Sequence, residues 1–235
     1  MIQGILFDFD GTLADTSPVI FDCYDYATEA VLGHRAPRAP YVRTFGQPLR
    51  PALIDLFWET DGTAICEVYR KRQDEVHDRL IRPFPGVYET LEALRKRNLP
   101  VAVVTSKHHA SCRRGLRCLG LEEFFPLVVS SDLVAEPKPH PASALLALEK
   151  LGRSGEASSV LMVGDSVFDM KCGKGAGCLT VAVEYTLVDR EALRREGRPD
   201  YWIRSMPDLL TLLDRLDATG RKESCLLYTS PSPRD

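Results

Sequence analysis

Four short apolar runs constrain this chain more than any other feature. LPVAVVT (99–105), PLVVSS (126–131), SVLMVGD (159–165) and CLTVAV (178–183) alternate with stretches of helical periodicity. Runs of this length, rich in Val and Leu at successive positions, are the pattern of strands buried on both faces. Their alternation with helices implies a doubly wound, Rossmann-like α/β core, a parallel sheet with helices on both sides. One helix runs from about His109 to Leu119, another opens at Pro141 and stops at Gly152, and a third begins in SVFDMKCGKGAG. Ile5, Leu6 and Phe7 form a further apolar run that joins the same sheet.

Ligands of open α/β sheets bind outside the carboxyl ends of the strands, so the residues that end each run are the candidates for chemistry. The first run, in GILFDFDGTLADT (4–16), ends in Asp8, with Asp10 two positions on. Side chains at i and i+2 of an extended chain point the same way. Two carboxylates held together there repel, and burying them unpaired is costly, so a cation is expected between them. VAVVT ends in Thr105–Ser106–Lys107, and LMVG in Asp165–Ser166 with Asp169 following; Lys138 stands between Pro137 and Pro139 after PLVVSS. Carboxylates from two strands, a hydroxyl and a lysine on one spot describe a Mg²⁺ site beside a phosphoryl-binding site. Ser166 and Asp169 also read as a helix cap, and a strand-end Asp alone is an ordinary turn former.

Between Thr16 and Arg82 the apolar runs give way to helical spacing in SPVIFDCYDYATEAVLG, PLRPALIDLFWE and AICEVYRKRQDEVHDRLI. The organisation that follows is a core of residues 1–16 and 84–218, a small helical cap of 17–83 inserted after the first strand, and a tail of 219–235. Within the tail, CLLYTSPSPRD (225–235) resembles a read-through translation of a transposase-type sequencing adapter, and it is set aside from fold reasoning.

Charge and composition narrow the partners. A net charge of −3, from 30 basic and 33 acidic residues, implies no nucleic-acid partner. No apolar stretch approaches a membrane span, and the N-terminus lacks the layout of a signal peptide. Seven cysteines, an odd number without a CxxC pair, read as reduced thiols of a cytoplasmic protein. A monomer or a homodimer is expected.

DFDGT, VVTSK, AEPKPHP and GDSVFD resemble, in order, the four signature motifs of the haloacid dehalogenase (HAD) superfamily. The helical insert resembles the small cap of its phosphoglycolate phosphatase-like group. The resemblance implies that Asp8 is a nucleophile forming an aspartyl-phosphate and that Asp10 is the acid–base group. Thr105 would hydrogen-bond the phosphoryl group, assisted by Thr12, Ser106 and Lys107, while Lys138 would neutralise charge and orient Asp8. Mg²⁺ would be held by Asp8, the Asp10 carbonyl and Asp165, with Asp169 a direct or water-mediated ligand.

Asp10 argues for phosphate hydrolysis over dehalogenation, and the sole cap lysine, Lys71, is misplaced for phosphonate chemistry. FGQPL (45–49) resembles the specificity loop of phosphoglycolate phosphatases. YRKRQDEVHDRLI, VYETLEALRKRNL, KHHASCRRGLRCLGLEEFF and RPDYWIRSMPDLL look closer to the HAD-type inorganic pyrophosphatases, so pyrophosphate is the expected substrate and 2-phosphoglycolate or another small phosphomonoester the alternative. A receiver-type signalling module also gathers Asp, Mg²⁺, Thr and Lys on a parallel sheet, but the DxDGT order and the insert argue against it. In the cap, Gly46 offers a backbone that can approach the substrate. Arg43, Arg50 and His77 are candidate donors to an anionic leaving group, although His77, beside Asp78, also reads as an interface residue. With nine Lys/Arg against ten Asp/Glu between Ser17 and Pro83, recognition would rest on a few placed cations.

Overall fold

A computed structural model describes residues 1–227, with side chains to residue 218. Residues 228–235, and with them most of the segment set aside on sequence grounds, lie outside the described residues. A six-stranded parallel sheet forms the centre, built from β1 (Gly4–Phe7), β4 (Val101–Thr105), β5 (Val128–Ser130), β6 (Val160–Gly164), β7 (Leu179–Val183) and β8 (Tyr201–Ile203). Its order is β5-β4-β1-β6-β7-β8, so β1 sits between β4 and β6. Each expected strand is present, the first longer by Gly4 and the other four trimmed by one to three residues in all. β8 was not foreseen, because three residues give too short a pattern to separate from a loop.

The alternation of side chains explains why these strands read as continuous apolar runs. Ile5, Phe7, Val103, Leu161 and Val163 pack on one face, while Leu6, Ala102, Val104, Val160 and Met162 pack on the other. On the second face they meet α7 (Ala142–Lys150) and α8 (Val167–Gly175) through Ala144, Ala147, Leu148 and Cys172. On the first they meet α5 (Val87–Lys96), α6 (His109–Cys118) and α10 (Asp208–Leu227) through Leu91, Leu94, Leu116, Leu209 and Leu213. Each fully buried side chain of this size contributes about 1.5–3 kcal/mol. A short α9 (Arg190–Ala192) precedes β8.

Between β2 (Ala14–Asp15) and β3 (Arg82–Pro83) lie α1 (Ser17–Leu32), α2 (Arg38–Val42), α3 (Leu49–Leu56) and α4 (Gly62–Leu80). α2 adds to the three helical segments expected there; it is only five residues long, with prolines on and beside it. Tyr24 stacks on Tyr41 at 4.3 Å, Tyr69 meets Tyr41 edge-on, and these rings with Cys23, Ala27, Leu53, Ile65 and Cys66 fill the space between the helices. The segment leaves and returns through paired strands: Ala14 lies opposite Pro83 and Asp15 opposite Arg82, and the Phe84 amide donates to the Leu13 carbonyl at 3.1 Å. Among the described residues, no helix is long and apolar enough to cross a membrane.

Candidate active site

Sheet order decides which strand ends meet. Phe7 pairs with Val103 on one side and Val163 on the other, so the residues following β1, β4 and β6 emerge side by side. Asp8 and Asp165 follow β1 and β6 and Thr105 ends β4, and all three line a cavity of about 740 Å³ between the sheet and the α1–α4 layer. Gly11 has φ +80°, which only glycine adopts without strain, and a Cβ there would sit 2.6 Å from Asp165 Cγ. The glycine of DFDGT thus lets the first loop pass against the carboxylate of the fourth motif.

Lys138 is buried among carboxylates. Its Nζ donates to Asp8 Oδ1 at 2.7 Å, to Asp169 Oδ1 at 2.6 Å and to the Val104 carbonyl at 3.0 Å, which uses all three protons. Asp169 Oδ2 accepts from the Ser166 amide at 2.9 Å and its hydroxyl at 2.6 Å, while Ser166 Oγ accepts from the Asp169 amide. This capping box opens α8. Both oxygens of Asp169 are therefore committed to protein donors, and Asp169 lies behind Lys138 rather than on the cavity wall. The geometry gives it the work of holding Lys138, and the capping role read from the sequence is present.

Three carboxylates, Asp8, Asp165 and Asp169, have oxygens within 4.8 Å of one another, against one buried ammonium. Burial raises Asp8 to about 7, with Lys138 opposing and Asp169 and Asp10 adding to the rise. Burial likewise raises Asp165 well above the carboxylate range, reinforced by Asp169 and Asp8. Lys138 is held charged by Asp169 and Asp8 against its own burial. A cluster of hard oxygens with surplus negative charge fits a divalent cation, and Asp8 and Asp165 are the members that face the cavity.

Around this centre the polar groups differ in what they have free. Thr105 Oγ1 accepts from the Lys107 amide at 3.1 Å, leaving its own proton to donate into the cavity. Lys107 Nζ pairs with Asp10 at 2.9 and 3.3 Å, above the Phe9 ring. Ser106 Oγ donates to the Gly46 carbonyl at 2.6 Å. Gly46 has φ +94°, and a Cβ would meet Ser166 Oγ at 2.5 Å. Arg50 lines the cavity.

Three expected substrate contacts are not at the cavity. Thr12 is fully buried with Oγ1 unpartnered, because the turn after Asp10 points it into the core. Arg43 ends α2 on the solvent side. His77 is buried, with Nδ1 2.7 Å from Asp78 Oδ1 and Nε2 unpartnered, and burial lowers its pKa. It serves the junction where Arg114 of α6 clamps Asp74 and Asp78 of α4.

Other groups at the site escaped the sequence reading. Thr186 Oγ1 donates to Asp165 Oδ2 at 2.8 Å, and Tyr185 OH donates to the Thr12 carbonyl at 3.0 Å. Both follow β7, so the strand-end rule applied to CLTVAV would have reached them. Arg70 and Gln73 of α4 also line the cavity, where a helical spacing alone does not say which face looks inward.

The family model described as haloacid dehalogenase-like hydrolase matches residues 5–183. Proteins named pyrophosphatase PpaX from Halalkalibacterium halodurans and Bacillus mycoides are each 35% identical, the first over 90% of this chain and 97% of its own, the second over 92% and 99%. Among solved structures, a protein described as a predicted phosphoglycolate phosphatase from Haemophilus somnus superposes with a TM-score of 0.79 at 25% identity, covering 90% of this chain and 98% of its own. A haloacid dehalogenase-like family hydrolase from Streptococcus pneumoniae gives 0.78 at 25%, with the same coverage. With its motifs gathered at the carboxyl ends of β1, β4 and β6 and the family match spanning most of its length, this chain belongs to the haloacid dehalogenase-like hydrolases, and it is an enzyme of that family's phosphatase kind.

Proposed function

We propose that the protein is a Mg²⁺-dependent phosphatase that hydrolyses inorganic pyrophosphate through an aspartyl-phosphate on Asp8. The observation that carries the chemistry is the position of Asp8: one oxygen fixed by Lys138, the residue itself on the cavity wall. An anchored carboxylate of this kind can attack phosphorus in line with the departing oxygen. Asp8 forms the new P–O bond as the bond to the leaving group breaks, and Asp10 supplies the proton to the leaving oxygen. Asp10 then takes a proton from water, whose oxygen displaces phosphate from Asp8. Lys107 holds Asp10 over the site and yields a share of that carboxylate to the proton in flight. Thr105 donates to a phosphoryl oxygen, and Lys138 offsets charge that develops at Asp8.

Asp8 and Asp165 are the residues that would hold Mg²⁺, with Asp165 oriented by Thr186. When bound, the ion supplies positive charge that lets an anionic phosphoryl group approach an anionic nucleophile. The helices α1–α4 act as a cap, with residues 17–83 forming one unit over the core. Water exclusion by that cap strengthens each electrostatic contact beneath it.

Pyrophosphate is favoured by the relatives named pyrophosphatase, which this chain matches over nearly their full length. The structural likeness to the protein described as a predicted phosphoglycolate phosphatase supports 2-phosphoglycolate as the second reading. Measuring kcat/KM for both on enzyme truncated before Cys225 separates them. A preference for phosphoglycolate of more than about tenfold, ~1.4 kcal/mol in the transition state, overturns the pyrophosphate assignment.

A further inference from the structure

Arg50, near the start of α3, and Arg70, midway along α4, both line the cavity, and neither makes an ion pair or hydrogen bond with its guanidinium among the described residues. The neighbouring lysines and Asp74 already have charged partners. Lys107 is held by Asp10, Lys138 by Asp8 and Asp169, and the cavity-lining Asp74 by Arg114. Asp15, also on the wall, accepts from the Ser17 amide at the start of α1. Two guanidiniums without a charged partner thus lie on the cavity lining, on two different helices, and both residues are otherwise exposed.

Their placement is fixed from behind. Arg70 lies one turn before Asp74 on the same face of α4. Arg114 holds that helix to the core through the Asp74 carbonyl at 3.0 Å and Asp78 Oδ1 at 2.9 Å. Arg50 follows the loop that Ser106 holds at Gly46. The aromatic rings of Tyr41, Phe45 and Tyr69 line the same cavity, and a guanidinium's planar fork suits bidentate pairing with an anionic group.

We propose that Arg70, acting with Arg50, is the specificity-determining pair for the leaving group: the two hold the departing part of the substrate, so the site selects phosphoryl donors whose leaving group itself carries negative charge. The inference rests on the proposed phosphoryl transfer to Asp8, which places the transferred group at the strand ends and the leaving group toward α3 and α4.

The test compares wild type with Arg70→Gln, Arg50→Gln, Arg70→Lys and Arg79→Gln on pyrophosphate, 2-phosphoglycolate and p-nitrophenyl phosphate. The last has an uncharged organic group beyond the phosphoryl. The quantity read is the kcat/KM ratio of each anionic substrate to p-nitrophenyl phosphate. That ratio is expected to fall by about tenfold or more in Arg70→Gln and Arg50→Gln. Arg70→Lys is expected to restore part of it, and Arg79→Gln, an equal charge change on α4 away from the cavity, to leave it unchanged. A ratio unaltered in Arg70→Gln, or an equal fall on all three substrates, overturns the proposal. If wild type prefers phosphoglycolate and the ratio on that substrate still falls, the pyrophosphate assignment fails and the arginine pair stands.

Discussion

Ser106 Oγ donates to the Gly46 carbonyl across 2.6 Å, joining the carboxyl end of β4 to the loop between α2 and α3. The contact needs a glycine at its far end, because a Cβ on Gly46 would press on Ser166 Oγ and Phe168, and its φ of +94° disfavours any other residue. Gly46→Ala is therefore expected to push the loop off the strand ends. A loss in kcat/KM of about tenfold, with a Tm change of only a few degrees, is the expected outcome. Steady-state kinetics beside a thermal melt check it, and unaltered kinetics would show that the loop works without this docking.

Asp8→Asn is expected to remove phosphate release by about four orders of magnitude or more while the chain stays folded. The amide can still accept from Lys138, which keeps Asp169 and the Val104 carbonyl as partners. Lys138→Met is expected to behave differently, losing about 3–5 kcal/mol of stability because two buried carboxylates lose their counter-charge. Urea unfolding of the two variants, run beside a phosphate assay, separates chemistry from folding.

Stability should fall with rising pH more steeply without the divalent ion than with it. Burial holds Asp8 at about 7 against 3.8 when unfolded, and it raises Asp165 as well. Over that interval the native state binds more protons than the unfolded chain, so these two groups make stability fall as pH rises from about 4 to about 7. A bound cation displaces those protons and removes the penalty. The Tm difference between Mg²⁺ and EDTA is thus expected to widen from about pH 5 to about pH 7.5. A constant difference across that range would contradict the assignment of Asp8 and Asp165 as ligands.

His77→Ala is expected to cost about 2 kcal/mol of stability by opening a cavity at the α4–α6 junction. Its kcat/KM for pyrophosphate and phosphoglycolate should stay within about twofold of wild type. A selective loss on one substrate would return His77 to the binding site and contradict its burial away from the cavity.

The sequence by itself determined the layers and the strand ends. Continuous apolar runs such as VAVVT and VLMVG can satisfy both faces only inside a covered parallel sheet, and the residue after such a run must leave the sheet at its carboxyl end. That logic put Asp8, Thr105 and Asp165 at the carboxyl edge of the sheet, and the sheet order, with β1 between β4 and β6, brings them side by side. It also singled out Lys138, whose position between two prolines gave no hint of its three acceptors.

Tertiary structure decided what each polar side chain had left to offer. Asp165 and Asp169 look alike in GDSVFD, yet Asp169 is consumed by Lys138 and Ser166 while Asp165 faces the cavity. On α4, His77 and Arg70 are both plausible anion donors by type; packing against α6 buries the first and leaves the second on the cavity lining. The reason is geometric: strand direction is fixed by a two-residue alternation and the sheet it enters, whereas a helix face, a buried ion pair or a docked loop depends on partners far away in the chain. Ser106 and Gly46 are 60 residues apart and Lys138 and Asp8 are 130, separations over which no local pattern carries information.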